Sequence, residues 1–492
     1  MLQPEYIIAY DHGTGAIKVA LVDLEGNLID YAVESYPLYA PQALLAEQNP
    51  ENYWEAACRG TRKVLNRSGA DPRKARGIVF DTIWKSLILL DTDIRLMGRS
   101  IIWMDARADK EARELNRHFR RNLFQASDYW PKLLWLRRNM PNMYDRAYKI
   151  VGVNTYLGFK ATGNLCNNLT DSFVSSPHED FKALYDEFLS YGDISKDKFV
   201  DWVDCSSQIG VLQQNAAEMM NLVPGIPVFA GSCDIPAIAI GSGSAAPGKV
   251  HAYFGTSGWI CAMHKHTGKD LYVIPIDRSH DLTLKGTICC LALNWTIQQL
   301  YRKEQEELGD QIFSHIEQEL KDIPFGSGNV LAMPFLFGGR KPDFSSKARA
   351  GFFNISSQHD RRHMLNALLE SICYIMRMNA KLLAESTGIT SFDTINAVGG
   401  GACISHWMQI LSNVMNARVQ VPAQPRHAGT IGVAYHALIG LGYFDSLAQA
   451  SENIHLEHTY LPDPSAHSRY LELFEQFQRI YPAMKELYFA LN

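Results

Sequence analysis

The chain is 492 residues long, 47% hydrophobic and 20% charged, with a formal net charge of -5. That length exceeds what one hydrophobic core ordinarily serves, and the composition excludes a disordered, fibrous or membrane-embedded chain. Charges of both signs are mixed throughout with no basic field, no apolar run reaches membrane-spanning length, residues 1–15 lack a secretion signal, and nine scattered cysteines suit reduced thiols; the chain reads as cytoplasmic, with no nucleic-acid or membrane partner.

The opening reads as a three-strand meander. Residues 6–10 and 17–22 are strand-like, residues 11–15 form a tight turn between them, and residues 24–27 turn the chain again. Asn49, Pro50 and Glu51 offer a cap, a first-turn proline and an acidic residue ahead of an amphipathic run to about Leu65, which predicts a helix. A strand over 77–80 resumes the sheet, and strand and helix signals alternate through 150–159 and 227–230. This pattern predicts a layered α/β domain to about residue 246, ending in a glycine-rich hinge at 241–248.

Beyond the hinge an earlier pattern returns. Ala9-Tyr10-Asp11-His12-Gly13-Thr14-Gly15 reappears as Ala252-Tyr253-Phe254-Gly255-Thr256-Ser257-Gly258, each time with an apolar strand on either side of a Gly-Thr turn. Next, Cys261, His264 and His266 have no second ligand pair nearby in the sequence, so this segment reads as an edge strand with polar histidines rather than a metal site. A helix over 361–383, a strand over 394–398 and further alternation to about residue 441 follow. Residues 442–492 read as a polar loop and a helix near 465–487, a packing appendage.

A Gly-Thr turn between strands offers backbone N–H groups and a hydroxyl to phosphate oxygens, and two such turns can clamp one triphosphate. Gly13, Thr14 and Gly15 form the first, and Gly255, Thr256 and Ser257 the second. Asp11, directly before the first turn, is placed to hold Mg²⁺, and Lys18 adds a positive charge nearby. Gly400, Gly401 and Ala402 follow the strand over 394–398 and precede a helical segment, an order that suits a nucleotide ring or phosphate. There is no Walker A loop and no complete dinucleotide fingerprint. Asp234 stands where a strand ends and a helix begins, and reads equally well as an N-cap and as the base that takes a proton from an attacking hydroxyl.

With these residues in view, the chain resembles the FGGY carbohydrate kinase family over nearly its whole length. Asp11 to Gly15 resembles that family's first phosphate motif, Trp103-Met104-Asp105-Ala106-Arg107 its Trp-x-Asp-x-Arg segment, and Pro131 to Leu136 a stretch of its pentulose kinases. Gly231-Ser232-Cys233-Asp234 resembles the segment bearing the catalytic aspartate, Gly255 to Gly258 the second phosphate motif, and Gly399 to Ala402 the adenosine motif. The resemblance implies two ribonuclease H-like lobes of actin/Hsp70 type around a nucleotide cleft. It further implies ATP and Mg²⁺ as cofactors, Asp234 as the base, a small sugar as substrate and a homodimer as assembly. On this reading residues 1–246 are the lobe with the sugar site, residues 247–441 the lobe with the second phosphate and adenosine motifs, and residues 442–492 a helical appendage.

Two segments depart from the family's patterns. Ile83-Trp84-Lys85 stands where family members have Gln-Met-His or Gln-Arg-Glu, and Arg426-His427 stands where an acidic residue is common. Trp84 offers a flat face to sugar C–H groups and Lys85 a donor to sugar oxygens, which makes both candidate substrate residues alongside Asp234. A ketopentose such as xylulose is the expected substrate, ahead of a polyol or an acidic sugar. Two readings of other classes compete: an actin- or Hsp70-like ATPase, and a catalytically silent sugar sensor.

Overall fold

A computed structural model describes residues 4–42, 44–121, 123–172, 175–267, 273–336, 338–339 and 344–492. The principal strands are β1 (Tyr6–His12), β2 (Ala16–Asp23), β3 (Leu28–Ser35), β4 (Ala75–Thr82), β5 (Gln208–Val211), β6 (Pro227–Cys233) and β7 (Val250–Phe254). They continue with β8 (Ser257–Lys265), β9 (Ile274–Pro275), β10 (His280–Ile288), β11 (Thr394–Val398), β12 (Arg418–Pro422) and β13 (Leu456–Tyr460). The principal helices are α1 (Pro50–Ser68), α2 (Tyr129–Asn139), α3 (Val153–Thr162), α4 (Asp234–Gly241) and α5 (Cys290–Leu300). After them come α6 (Arg361–Thr387), α7 (Ser405–Met415), α8 (Ala428–Gly440) and α9 (Pro464–Leu491). Among the described residues no helix is long and apolar enough to cross a membrane.

The chain divides into two compact units: Met1–Gly241 with Lys265–Leu282 and Ala428–Ile454, and Ser242–His264 with Thr283–His427 and His455–Asn492. In the first, six strands run in the order β5-β6-β4-β1-β2-β3. Tyr6, Ile7, Ile8, Ala9 and Tyr10 are all buried, as a central strand covered on both faces demands. Helix α1 packs on β2 and β3, its Asn49 cap accepting from the Glu51 N–H at 3.1 Å as the sequence predicts, while α8 packs on β1 and β4. Almost every residue of α8 is buried, which explains why it is apolar all round rather than amphipathic.

The second unit carries a sheet in the order β10-β8-β7-β11-β12-β13. Its pairing repeats that of the first. β1 is antiparallel to β2 and parallel to β4, and β7 is antiparallel to β8 and parallel to β11. Outward from there β6 runs parallel to β4 and antiparallel to β5, just as β12 runs parallel to β11 and antiparallel to β13. The repeated turn in the sequence is therefore a repeat of topology, and each unit has the ribonuclease H-like plan of the actin/Hsp70 fold.

Several elements differ from expectation. The strand predicted over 77–80 runs from Ala75 to Thr82 and so includes Asp81. The segment read as an edge strand, β8, lies between β7 and β10, because its second partner is supplied from residues 280–288. The loop after residue 442 contains β13, and α6 continues to Thr387 before Gly388 ends it with a left-handed φ of 76°.

Candidate active site

Register builds the first part of the site. Pairing of β1 with β2 sets Asp11 opposite Lys18, and pairing with β4 sets Asp81 on its other side; Ser232 of β6 is next in the row. The row crosses the carboxyl ends of three parallel strands, where α/β sheets place their ligands. Lys18 Nζ lies 2.8 Å from Asp11 Oδ2. Asp81 is fully buried, and neither of its oxygens has a hydrogen-bond partner among the described residues. Burial, reinforced by the charges of Asp11 and Asp234, pushes its carboxyl well above the ordinary range, with Lys18 opposing.

A methyl group at Gly429, in the first turn of α8, would stand 2.9 Å from Asp11 Oδ2 and 3.2 Å from Asp81 Oδ2. Glycine therefore leaves the space beside both carboxylates open. The two unpartnered oxygens of Asp81, with the Asp11 carboxylate beside them, suit a hard oxygen-seeking cation, so the donor set fits Mg²⁺. The turn beside them is fixed from outside: the Gly13 N–H donates to the Ala16 carbonyl at 3.0 Å, Trp103 Nε1 to Thr14 Oγ1 at 2.9 Å, and Gln48 Nε2 to the Thr14 carbonyl at 2.6 Å. Gly15 is exposed. In the Trp-x-Asp-x-Arg segment Trp103 thus holds the turn. Asp105 takes the Ala46 N–H at 2.8 Å, and Arg107 bridges Asp105 at 2.7 Å and Glu47 at 2.6 Å.

Asp234 is delivered by a bulge. Gly231 has a φ of 67°, and a Cβ there would lie 2.0 Å from the Phe80 carbonyl oxygen; the register of β6 on β4 shifts between Phe229 and Ser232. The shift re-aims the end of β6 so that α4 begins at Asp234, with Pro236 in its first turn. Asp234 Oδ1 is closed off from solvent and has no hydrogen-bond partner among the described residues. Burial raises this carboxyl to about 7, the charge of Asp11 adds to the rise, and the Ile235 N–H pulls it back.

The Trp84-Lys85 segment is strained. Lys85 has a φ of 62°, a left-handed conformation that costs a non-glycine residue about 1–3 kcal/mol. Four contacts hold it. Its N–H donates to the Tyr129 hydroxyl at 2.8 Å, its carbonyl accepts from Lys132 Nζ, its Nζ pairs with Asp128 Oδ1 at 2.7 Å, and that same Nζ lies 4.2 Å from the Trp84 ring centre. The Tyr129 hydroxyl donates in turn to Asp171, whose carboxyl burial raises to about 7, the Tyr129 hydrogen bond opposing and the charge of Asp234 adding. Burial also brings the fully enclosed Lys132 down to about 7. Helix α2, the stretch resembling pentulose kinases, is thus the brace of the Lys85 turn.

In the second unit the Gly255 N–H donates to the Ser257 carbonyl at 3.0 Å, closing the hairpin of β7 and β8. The N–H groups of Cys290 and Leu291, at the start of α5, donate to the carbonyls of Gly255 at 2.9 Å and Thr256 at 3.3 Å. The Thr256 side chain stays exposed. Methyl groups at Gly399 and Gly401 would come within 2.6 Å of the Phe254 carbonyl oxygen and 2.9 Å of Phe254 Cβ, so the third glycine cluster packs directly against the residue preceding the second turn. Gly400 is exposed above open space and Ala402 is buried.

The structure therefore brings Asp11, Lys18, Asp234 and the first turn together in one unit, which also carries Trp84 and Lys85, and brings the second turn and residues 400–402 together in the other. Sequence reasoning missed Asp81, Tyr129 and Asp171. Asp81 carried a readable signal, a carboxylate ending an apolar strand as Asp11 ends 6–10; Tyr129 and Asp171 carried none.

Residues 6–241 match the N-terminal domain of the FGGY family of carbohydrate kinases, and residues 252–441 match its C-terminal domain. The xylulose kinase of Bacillus subtilis strain 168 is 25% identical over 503 residues, covering 99% of each chain. Among solved structures, a ligand-bound xylulose kinase from Lactobacillus acidophilus superposes with a TM-score of 0.86 at 23% identity, covering 99% of this chain and 100% of that one. A gluconate kinase from the same organism superposes with a TM-score of 0.85 at 23% identity, covering 99% of both. The duplicated topology, the two glycine turns and the family matches across both halves have one explanation: the chain belongs to the FGGY family of carbohydrate kinases, enzymes that phosphorylate sugars with ATP and Mg²⁺.

Proposed function

We propose that this kinase transfers the γ-phosphoryl group of ATP to a hydroxyl of a ketopentose such as xylulose, with Asp234 as general base. The carrying observation is the state of Asp234: a carboxyl raised to about 7 whose Oδ1 is left without a partner. A base with that affinity accepts a proton at neutral pH and is not spent on a structural hydrogen bond. Bound Mg-ATP supplies the electrophilic phosphorus and neutralises charge on the phosphates. Asp234 orients the sugar hydroxyl and takes its proton as the oxygen bonds to phosphorus and ADP departs. In the first unit Asp11 and Asp81 would hold the cation, and Gly13, Thr14, Gly15 and Lys18 form a phosphate-binding turn. In the second unit Gly255, Thr256 and Ser257 form the other phosphate-binding turn, and Gly400, Gly401 and Ala402 the nucleoside segment.

For the substrate, the support is twofold. Relatives matching the full length are named xylulose kinase, and Lys85, the group that would recognise an acidic sugar, already pairs with Asp128. A neutral sugar suits a lysine whose charge is spent; Trp84 then offers a face to sugar C–H groups. The test is ADP release measured across ketopentoses, polyols and aldonates, with the phosphorylated product identified by mass. The highest kcat/KM with a ketopentose is expected. The highest with an aldonate or a polyol overturns the substrate assignment.

A further inference from the structure

His266 does not act with His264, its neighbour in the sequence. His264 Nε2 is 2.9 Å from Thr283 Oγ1 in β10. His266, just past the end of β8, meets residues distant in the chain: its Nδ1 is 2.6 Å from Asp281 Oδ2, and His178 Nε2 is 2.7 Å from Asp281 Oδ1. The two imidazoles lie face to face, 3.5 Å between centres and 8° from parallel. Asp281 is fully buried, and the side chains of His178 and His266 are 5% and 18% exposed. All three belong to the first unit, and none is among the residues assigned to phosphoryl transfer.

We propose that His178, His266 and Asp281 form a binding site for one transition-metal dication of the zinc class. Their ligand atoms lie within 4.8 Å of one another. Two imidazole nitrogens and a carboxylate oxygen are the three protein ligands of an open tetrahedral zinc site. Both rings already turn a nitrogen toward the one buried carboxylate of Asp281, and binding swings them out of their stack so that both lone pairs converge on the ion. A second carboxylate completes the pattern: His266 Nε2 is 3.0 Å from Asp180 Oδ2, the outer partner that a metal-bound histidine characteristically has. Binding requires the contacts of 2.6 and 2.7 Å to Asp281 to open to about 3.3 Å.

The pH dependence follows from the contacts. Both nitrogens of His266 face carboxylates, Nδ1 toward Asp281 and Nε2 toward Asp180. A metal takes the deprotonated Nδ1 while Nε2–H faces Asp180, so like other histidine sites this one weakens as pH falls. The site ties the segment Lys265–Leu282 to the chain around His178, linking stretches about a hundred residues apart.

The test uses the full chain, stripped with chelator and titrated calorimetrically with Zn²⁺ alone in two buffers of different ionisation enthalpy. One Zn²⁺ per chain with proton release and a raised melting temperature is expected. His178→Gln and His266→Gln are expected to weaken binding about tenfold or more, and Asp180→Asn about tenfold. Asp11→Ala serves as the control that leaves Zn²⁺ affinity unchanged. Should His178→Gln fail to fold by near-ultraviolet circular dichroism, the less buried His266 and Asp180 variants decide. No saturable Zn²⁺ binding, or affinity unchanged in the folded variants, overturns the proposal.

Discussion

Replacing Asp234 with Asn separates the stability cost of the base from its chemistry. Its carboxyl stands at about 7 against an ordinary 3.8, a difference of about three units or about 4 kcal/mol. The sign follows from proton binding. Between the two values the folded protein holds a proton that the unfolded chain has lost, so stability falls as pH rises through this window and levels off above about 7. Asn titrates nowhere in the window and keeps the cap-like position at the head of α4. In metal-free protein Asp234→Asn should therefore be the more stable form, by about 2–4 kcal/mol at about pH 8.5 and by less than half of that at about pH 5. Calorimetry of both proteins in chelator at the two pH values reads the effect as a melting-temperature gap on the order of 5 °C that narrows toward acid. A gap of equal size at both pH values, or a less stable variant at the higher one, refutes the assignment of a raised carboxyl at Asp234.

Three further outcomes follow from the same geometry. Asp11→Ala and Asp81→Asn each raise the Mg²⁺ concentration needed for half-maximal turnover, read from Mg²⁺ titrations at saturating sugar, because each removes an oxygen beside the open space at Gly429. Gly429→Ala drives a methyl group against both carboxylates and lowers stability by about 1–3 kcal/mol, together with turnover; wild-type melting and kinetics would mean that the space is not used. Lys85→Ala raises the KM for sugar while leaving the KM for ATP nearly unchanged, in steady-state kinetics with each substrate varied. An equal loss for both substrates removes Lys85 from the sugar site.

What the sequence disclosed depended on distance along the chain. The Asp11–Gly15 and Gly255–Gly258 turns, the Asn49 cap and the break from strand to helix at Asp234 each lie within a few residues, so local chemistry marks them. Asp81 sits beside Asp11 only because β1 and β4 pair in parallel across some seventy residues, a register no local pattern encodes. The brace of Lys85 joins Tyr129 and Asp171, which lie forty-four and forty-two residues from their partners. The place of helix α8 on β1, where Gly429 meets Asp11, depends on a chain that returns to its first unit near its end. His266 read as a polar histidine of an edge strand for the same reason: His178 and Asp281 come from elsewhere in the chain.

The most direct test of the central claim, that Asp234 takes the proton from the sugar hydroxyl, is single-turnover phosphoryl transfer by Asp234→Asn with nucleotide affinity measured on the same protein. The account predicts a rate about 10²–10⁴-fold below wild type with ATP binding changed by no more than a few-fold. A transfer rate within a few-fold of wild type contradicts it and leaves Asp234 as the structural head of α4.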